Sequence, residues 1–582
     1  MELGKVISID DENVVVKVGV DLNTIKDIAD KYVYFIKNDI KIIGNITRVN
    51  SDSIYISLKG EIKDDIFLVG LLTKPLFGDI CYLLNDTDVI NKLIRSNNDS
   101  KELLVGKLPL LNYEDARIPI NGLFSNHLAI FGNTGSGKSC GLARILQNTF
   151  FNTDTPPKNS TIFIFDVYGE YEKAFDFPNS QIGFKKYYTD IKTQDNLIKI
   201  PLWLLNLDDF ALLLNVNDQT QLPIIEKALR LVTVFAKNDE NTRIYKNDII
   251  AKTLLDILHS GMAASQIHDQ VISILTSFNT TDLNLESPVV QPGYTRSLRQ
   301  CLIIDASGKM NEISLVTEFI NKFVRKDLKL QLPNGDSYFS LEDLRDAFDF
   351  ALISEGMLKS DRVYDKINIL KIRLESLISS EYATYFRFDE YISKKDYIKS
   401  LLMIDDNKRA QLININLNYL DDRFAKIITK IYAKMLFEFT TLVNPRGSIP
   451  IHMIIEEAHR YIQNDNDINV LGYNIFDRIT KEGRKYGMLL IMISQRPSEL
   501  SETALSQCSN FFIFKMVHPY DIDFIKQMVP NITIEVSQKI KLLQPGTCIS
   551  FGSSFPFPII LKFDIPSPTP LSENINIEKT WY

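Results

Sequence analysis

The run Gly132-Asn133-Thr134-Gly135-Ser136-Gly137-Lys138-Ser139 fits G-x-x-x-x-G-K-[ST] in full, and it constrains this chain more than any other feature. Its glycines let the backbone fold closely around phosphates and aim amide N–H groups at them, which works only where a strand enters the loop and a helix leaves it. The flanks have that character: Leu128-Ala129-Ile130-Phe131 is an apolar strand leading in, and Gly141-Leu142-Ala143-Arg144-Ile145-Leu146 is a helical stretch leading out. The expected nucleotide contacts are Gly132, Asn133, Thr134, Gly135, Ser136, Gly137, Lys138, Ser139 and Cys140. Lys138 would reach the β- and γ-phosphates and Ser139 would ligate magnesium, so ATP and Mg2+ are the cofactors expected.

From His127 onward strands alternate with helices, the pattern of a parallel sheet covered on both faces, which makes the fold class α/β. Candidate strands are Leu128–Gly132, Thr161–Asp166, Gln411–Leu417, Ile451–Ile455, Leu489–Ser494 and Phe511–Met516. Ahead of them, residues 1–95 carry short β-rich runs (Val14–Val18, Tyr32–Ile36, Ile54–Leu58) separated by turn signals, which predicts a small barrel or sandwich. Ser96–Ser100, made only of Ser, Asn and Asp, reads as a joint. Residues 96–206 then hold the first part of the ATP-binding core. Residues 207–402 interrupt the sheet pattern with helical stretches such as Asp248–Phe278 and Asp361–Ser380, whose apolar residues recur every three or four positions, so a helical insertion is expected. Residues 403–563 complete the core and end in a hairpin of Thr547–Phe551 and Pro558–Phe563, and 564–582 form a Pro/Ser/Asn-rich tail.

Three further elements carry chemistry. In His452-Met453-Ile454-Ile455-Glu456-Glu457-Ala458-His459 an apolar strand ends in two carboxylates. Adjacent strand residues point to opposite sides, so Glu456 would hold the metal with Ser139 while Glu457 orients or deprotonates the attacking water. Leu489–Ser494 ends in Gln495, a neutral polar group suited to sensing the γ-phosphate beside the carboxylate strand. Between them, Arg478-Ile479-Thr480-Lys481-Glu482-Gly483-Arg484-Lys485-Tyr486-Gly487 offers guanidinium groups that stabilise the charge of phosphoryl transfer when a neighbouring subunit inserts them; Arg484 is the first candidate and Arg478 the second. A fourth strand tip, Asp166-Val167-Tyr168-Gly169-Glu170-Tyr171, would order water or only form a turn, and its carboxylates would lie beside the phosphate loop if that strand neighbours the first.

Composition removes several alternatives. The longest apolar runs fall well short of the roughly 18–20 residues of a membrane span, and the acidic start at Asp10, Asp11 and Glu12 forestalls a secretory signal, so a cytoplasmic protein is expected. Five cysteines without C-x-x-C spacing argue against zinc and disulfides and for free buried thiols. A formal charge of −8 denies a globally basic surface, so any nucleic acid must meet a local lining; the short basic runs are Lys185-Lys186, Lys322 with Arg325 and Lys326, and Lys394-Lys395.

Together these motifs resemble the HerA family of HerA/FtsK-type ATPases. The resemblance rests on Asn126-His127-Leu128, the phosphate loop, Asp166–Tyr171, Glu456–His459, Lys481–Gly487 and Ser494-Gln495-Arg496-Pro497, and it covers the core without the insertion. It implies a RecA-like P-loop core behind an N-terminal small β-barrel. It implies a homo-oligomer, a hexameric ring with ATP sites between subunits, acting as a helicase or translocase on double-stranded DNA in a central channel. It also implies a partner effector on the barrel face, a nuclease in DNA-end processing or a nuclease or NAD-consuming sirtuin-like enzyme in anti-phage defence. The alternative is a ring that binds ATP chiefly to assemble and gate that effector.

Overall fold

The computed structural model describes the chain except residues 12, 22–27, 95–100, 178–179, 194–195, 238, 307, 326–336, 357–360, 406, 530–531, 533, 556, 572–576 and 582. The joint expected at Ser96–Ser100, and Lys326, lie outside the described residues. The chain divides into two compact units, one of Met1–Thr189, Leu402–Asp465 and Asn474–Tyr582, the other of Asp190–Leu401 and Asn466–Tyr473.

The first unit begins with seven strands: β1 (Glu2–Ile9), β2 (Asn13–Val18), β3 (Tyr32–Lys37), β4 (Ile40–Val49), β5 (Ser53–Lys63), β6 (Ile66–Val69) and β7 (Ile80–Leu83). They pair in the order β2-β1-β7-β3-β4-β5, and β5 returns to β2, so six antiparallel strands close a barrel while β6 extends β5 outward. Alternation builds it: in β5 every second residue from Ile54 to Leu58 turns inward, joining Leu3, Val14, Val16, Val33, Phe35 and Ile42 in a dry interior. Register shifts in β1 and β4 supply the bends that let so few strands close.

The remaining strands of this unit form one sheet: β8 (Glu102–Leu108), β9 (Glu114–Pro119), β10 (His127–Phe131), β11 (Thr161–Asp166), β12 (Gly183–Tyr187), β15 (Ala410–Asn416), β16 (Ile451–Ile455), β17 (Met488–Ser494), β18 (Cys508–Phe514), β19 (Thr547–Gly552) and β20 (Ile559–Phe563). Their order is β12-β15-β11-β16-β17-β10-β18-β19-β20-β8-β9. The seven strands from β12 to β18 are parallel, and the rest are antiparallel. Every residue of β10, β11, β15, β16 and β17 is buried, as a parallel sheet between two helix layers requires. The fold is thus an α/β P-loop core with an N-terminal β-barrel.

The second unit is largely helical, with helices Leu222–Phe235, Glu240–Leu258, Ala264–Ser277, Ile313–Asn321, Leu341–Gly356 and Asp361–Ser379, and a small hairpin of β13 (Pro288–Gln291) and β14 (Tyr294–Ser297). Phe350 meets Phe235 and Phe278 edge-on at 4.6 and 4.5 Å, joining three of its segments. The stretch expected as one helical block from Asp248 to Phe278 is two helices broken at Gly261, whose φ of 74° lies in the left-handed region. Among the described residues no helix is long and apolar enough to cross a membrane.

Candidate nucleotide site

The carboxyl ends of β10, β17 and β16 lie side by side, so the loops that follow them meet. Between β10 and the helix Lys138–Phe150 the chain needs left-handed backbone: Gly135 has φ 71° and Gly137 φ 106°. A Cβ on Gly137 would come within 2.7 Å of the Gly546 nitrogen, while one on Gly135 would meet nothing within 4 Å. The loop is therefore braced from behind by the turn ahead of β19, where Gly546 N–H also donates to the Ser136 carbonyl at 2.9 Å. The brace is a feature the sequence reading missed; the Pro545-Gly546 turn signal was visible, but not what it would touch.

Lys138 is buried, and its Nζ donates to the Gly132 and Asn133 carbonyls at 2.7 and 3.0 Å. Burial lowers its pKa, against the opposing pull of Glu457, Glu456 and Glu170. β16 stops at Ile455, and Glu456 follows it, buried, with Oε1 accepting from the Tyr171 hydroxyl at 3.3 Å. Burial, then the charges of Asp166, Glu170 and Glu457, push its pKa well up. Glu457 is set differently from the expectation of strand alternation: its φ of 46° is left-handed, so a turn rather than a pleat separates the two carboxylates. Glu457 Oε1 accepts from Gln495 Nε2, and Gln495 Oε1 accepts from Thr134 Oγ1 at 2.6 Å, a relay from β16 across β17 to the phosphate loop. His459 Nδ1 lies 3.4 Å from Glu457 Oε2, yet burial lowers the pKa of the ring, and Nδ1 engages the Ser494 hydroxyl at 3.2 Å. That proximity is therefore not counted as a charge pair.

β11 does not neighbour β10; β16 and β17 stand between them, so the adjacency on which the reading of this strand tip depended is not met. The loop after β11 nonetheless reaches the site. Asp166 is wholly buried and accepts from the backbone of Glu170 and Tyr171 at 3.0 Å each, so it forms the turn. Glu170 is carried by that turn, and burial raises its pKa. Cys140, half-buried at the start of the helix, has its thiol pKa raised by burial and by the charge of Glu170. The other four cysteines are buried, and all five are free.

Three carboxyl groups, Glu457, Glu456 and Glu170, thus bear on one lysine, with Asp166 acting on Glu456, and one oxygen each of Glu170, Glu456 and Glu457 is buried without a hydrogen-bond partner. Buried acceptors in that number call for a cation. Among the described residues no group of three or more His, Cys, Asp or Glu side chains could itself hold a metal. Magnesium in a phosphate-loop site takes only one or two protein ligands beside phosphate and water, so Ser139 and the carboxylates fit it.

Arg478 and Arg484 are not brought to this site. Both precede β17, whose seven residues carry the chain roughly 20 Å to Gln495. Arg478 lies over the Phe437 ring at 5.6 Å and 3.6 Å from Glu482. Arg484 is exposed on the turn beside buried His127, whose Nδ1 accepts from Leu490 N–H at 3.0 Å. Of the basic runs, Lys186 pairs with Glu172 at 3.1 Å and Lys185 donates to the Met403 carbonyl at 2.6 Å, so both are spent within the chain.

The family described as "Helicase HerA, central domain" matches residues 103–326. A probable helicase of Methanocaldococcus jannaschii is 24% identical over 566 residues, 96% of this chain and 82% of that protein. The DNA double-strand break repair helicase HerA of Sulfurisphaera tokodaii is 24% identical over 537 residues, 90% of this chain and 82% of its own length. Among solved structures, VirB4 of Thermoanaerobacter pseudethanolicus superposes with a TM-score of 0.45 at 11% identity, covering 81% of this chain and 98% of that one.

Proposed function

We propose that this chain, which belongs to the HerA family of helicases, is an ATPase that moves double-stranded DNA as a ring of identical subunits. The observation that carries the reading is the meeting of Lys138, Glu456, Glu457 and Gln495 at the carboxyl ends of β10, β16 and β17. Three adjacent parallel strands deliver a phosphate-binding lysine, a carboxylate pair and an amide to one place, which is the constellation phosphoryl transfer to water demands.

In this reading the backbone of Gly132–Ser139 holds the triphosphate, and Lys138 leaves its two carbonyls for the β- and γ-phosphates. Bound magnesium would neutralise developing phosphate charge, held by Ser139 and Glu456. Glu457 accepts the proton of the attacking water. Gln495, bridging Glu457 and Thr134, reports whether a γ-phosphate is present. Arg484, on the turn before β17 and so the length of that strand, roughly 20 Å, from Gln495, is set to serve a nucleotide held by a neighbour, which supports sites between subunits of a ring.

The partner effector expected on the barrel finds support in β6 and the loop after it. Ile66, Leu68, Val69, Leu72, Leu76 and Phe77 are all exposed there, an apolar patch beside an unpaired strand edge. A nuclease or NAD-consuming enzyme bound there would place the motor in end processing or anti-phage defence.

The test is ATP hydrolysis measured with and without duplex DNA over a salt series. A motor on DNA is stimulated by duplex, and the stimulation falls steeply between 50 and 200 mM salt as phosphate contacts are lost, by about 10³ or more in affinity for six or more contacts. Hydrolysis indifferent to DNA but raised by an effector bound at the barrel would instead establish the gating scaffold.

A further inference from the structure

We infer that Tyr171 is a positioning residue for the metal: its hydroxyl holds one oxygen of Glu456 and leaves the other for magnesium. This rests on the nucleotide-site reading above.

The fold fixes Tyr171 before its hydroxyl makes any contact. Its ring is wholly buried and lies parallel to the Phe175 ring, 6.0 Å between centres. Its backbone N–H donates to Asp166 Oδ2 at 3.0 Å, and that oxygen also accepts from Asn414 Nδ2 at 3.3 Å, so the turn after β11 decides where the ring stands. β16 runs parallel beside β11, with Ile455 in register with Phe165, and Glu456 N–H donates to the Phe165 carbonyl at 3.3 Å. Glu456 therefore leaves its strand next to the Tyr171 turn. A phenylalanine would fill the same apolar space; what the tyrosine adds is a donor for a buried carboxyl oxygen.

That donor makes the two oxygens of Glu456 unequal. Oε1 accepts from the Tyr171 hydroxyl at 3.3 Å, whereas Oε2 is buried with no hydrogen-bond partner. One oxygen anchored and one open suits a carboxylate that meets magnesium, or a water on it, through a single atom. A hydroxyl donating to an ionised carboxylate sits at about 2.5–2.7 Å, so the contact has room to shorten once a cation favours the charged form. Glu457 is held by another element, through Gln495 after β17. The two adjacent carboxylates are thus steered from different strands, Glu456 from β11 and Glu457 from β17.

The experiment uses the full chain and a non-hydrolysable fluorescent ATP analogue, with binding measured in EDTA and then titrated with magnesium chloride. Tyr171→Phe removes the hydroxyl and keeps the ring against Phe175, and thermal melts in EDTA check that the fold is kept. Loss of a group that orients a metal ligand costs about 10–100-fold in metal affinity, so Tyr171→Phe should raise the half-saturating magnesium concentration by about tenfold or more, with metal-free binding unchanged. In a Glu456→Ala background the same substitution should add nothing, because the oxygen it acts through is gone. An unchanged half-saturation in the otherwise wild-type chain, an equal rise in both backgrounds, or metal-free binding lost in parallel would each overturn the inference. A Glu456→Ala chain with wild-type magnesium half-saturation would remove Glu456 from the metal and the inference with it. A wild-type chain that binds no analogue at all would instead overturn the nucleotide-site reading.

Discussion

Gln495 donates to the Glu457 carboxylate with its amide nitrogen while its amide oxygen accepts from Thr134, so the carboxylate after β16 and the phosphate loop share one side chain. A γ-phosphate entering beside Thr134 would compete, as an acceptor, for the Thr134 hydroxyl that now donates to Gln495 Oε1, and so loosen the amide that engages Glu457. Replacing Gln495 by Ala should therefore lower kcat by about 10²-fold, the scale of a misplaced general base, with KM for ATP changed only severalfold. Steady-state kinetics at saturating magnesium check it, and a rise in KM with kcat intact would assign Gln495 to ground-state binding instead.

The carboxyl cluster predicts an unusual pH dependence in the metal-free protein. The pKa of Glu456 is raised in the fold by burial, so the folded chain binds its proton more tightly than the unfolded chain does. The sign follows from linkage: the stability this group contributes is complete below the ordinary carboxyl range and is lost as pH climbs through the raised value. In EDTA, Glu456→Gln, which mimics the protonated acid, should melt above wild type at pH 8, and the gap should close toward pH 5. Thermal melts at the two pH values decide the matter. A gap that widens toward acid would mean that Glu456 is stabilised as the anion, contrary to its setting.

Much of this arrangement was legible in the sequence where one strong constraint dominated. The central strands are apolar along their whole length because both faces are covered, so Thr161–Asp166 and Ile451–Ile455 stand at the bounds that composition suggested. Edge strands carry no such mark. Gly183–Tyr187, with two lysines, and Glu114–Pro119, with two acids and an arginine, were not among the expected strands and become strands through their partners β15 and β8. Phe511–Met516 was placed late because its strand opens on Cys508-Ser509-Asn510, where Asn510 is buried and accepts from Ser554. In the site, the chemistry of each tip was readable but the strand order was not. Hence Glu170 was tied to adjacency of β10 and β11, whereas the turn built by Asp166 brings its charge to bear on Lys138 and Glu456 across two intervening strands.

Arg484 gives the sharpest test of sites shared between subunits. It lies on the exposed turn before β17, at the end of the sheet away from Lys138, so no movement within one folded chain brings the two together. Lys138→Ala removes the lysine that closes the phosphate loop and should abolish hydrolysis without dispersing the oligomer. Arg484→Ala should cost about a thousandfold or more in rate while nucleotide still binds, because the guanidinium acts on transition-state charge. When the two inactive variants are mixed and reassembled, some sites receive Lys138 from one subunit and Arg484 from the next, and hydrolysis should return to a fraction of wild type set by the mixing ratio. Arg478→Ala, whose guanidinium is engaged with Phe437 and Glu482, should complement less or not be needed. If mixtures stay silent at every ratio while each variant still assembles and binds nucleotide, Arg484 does not act across the subunit boundary.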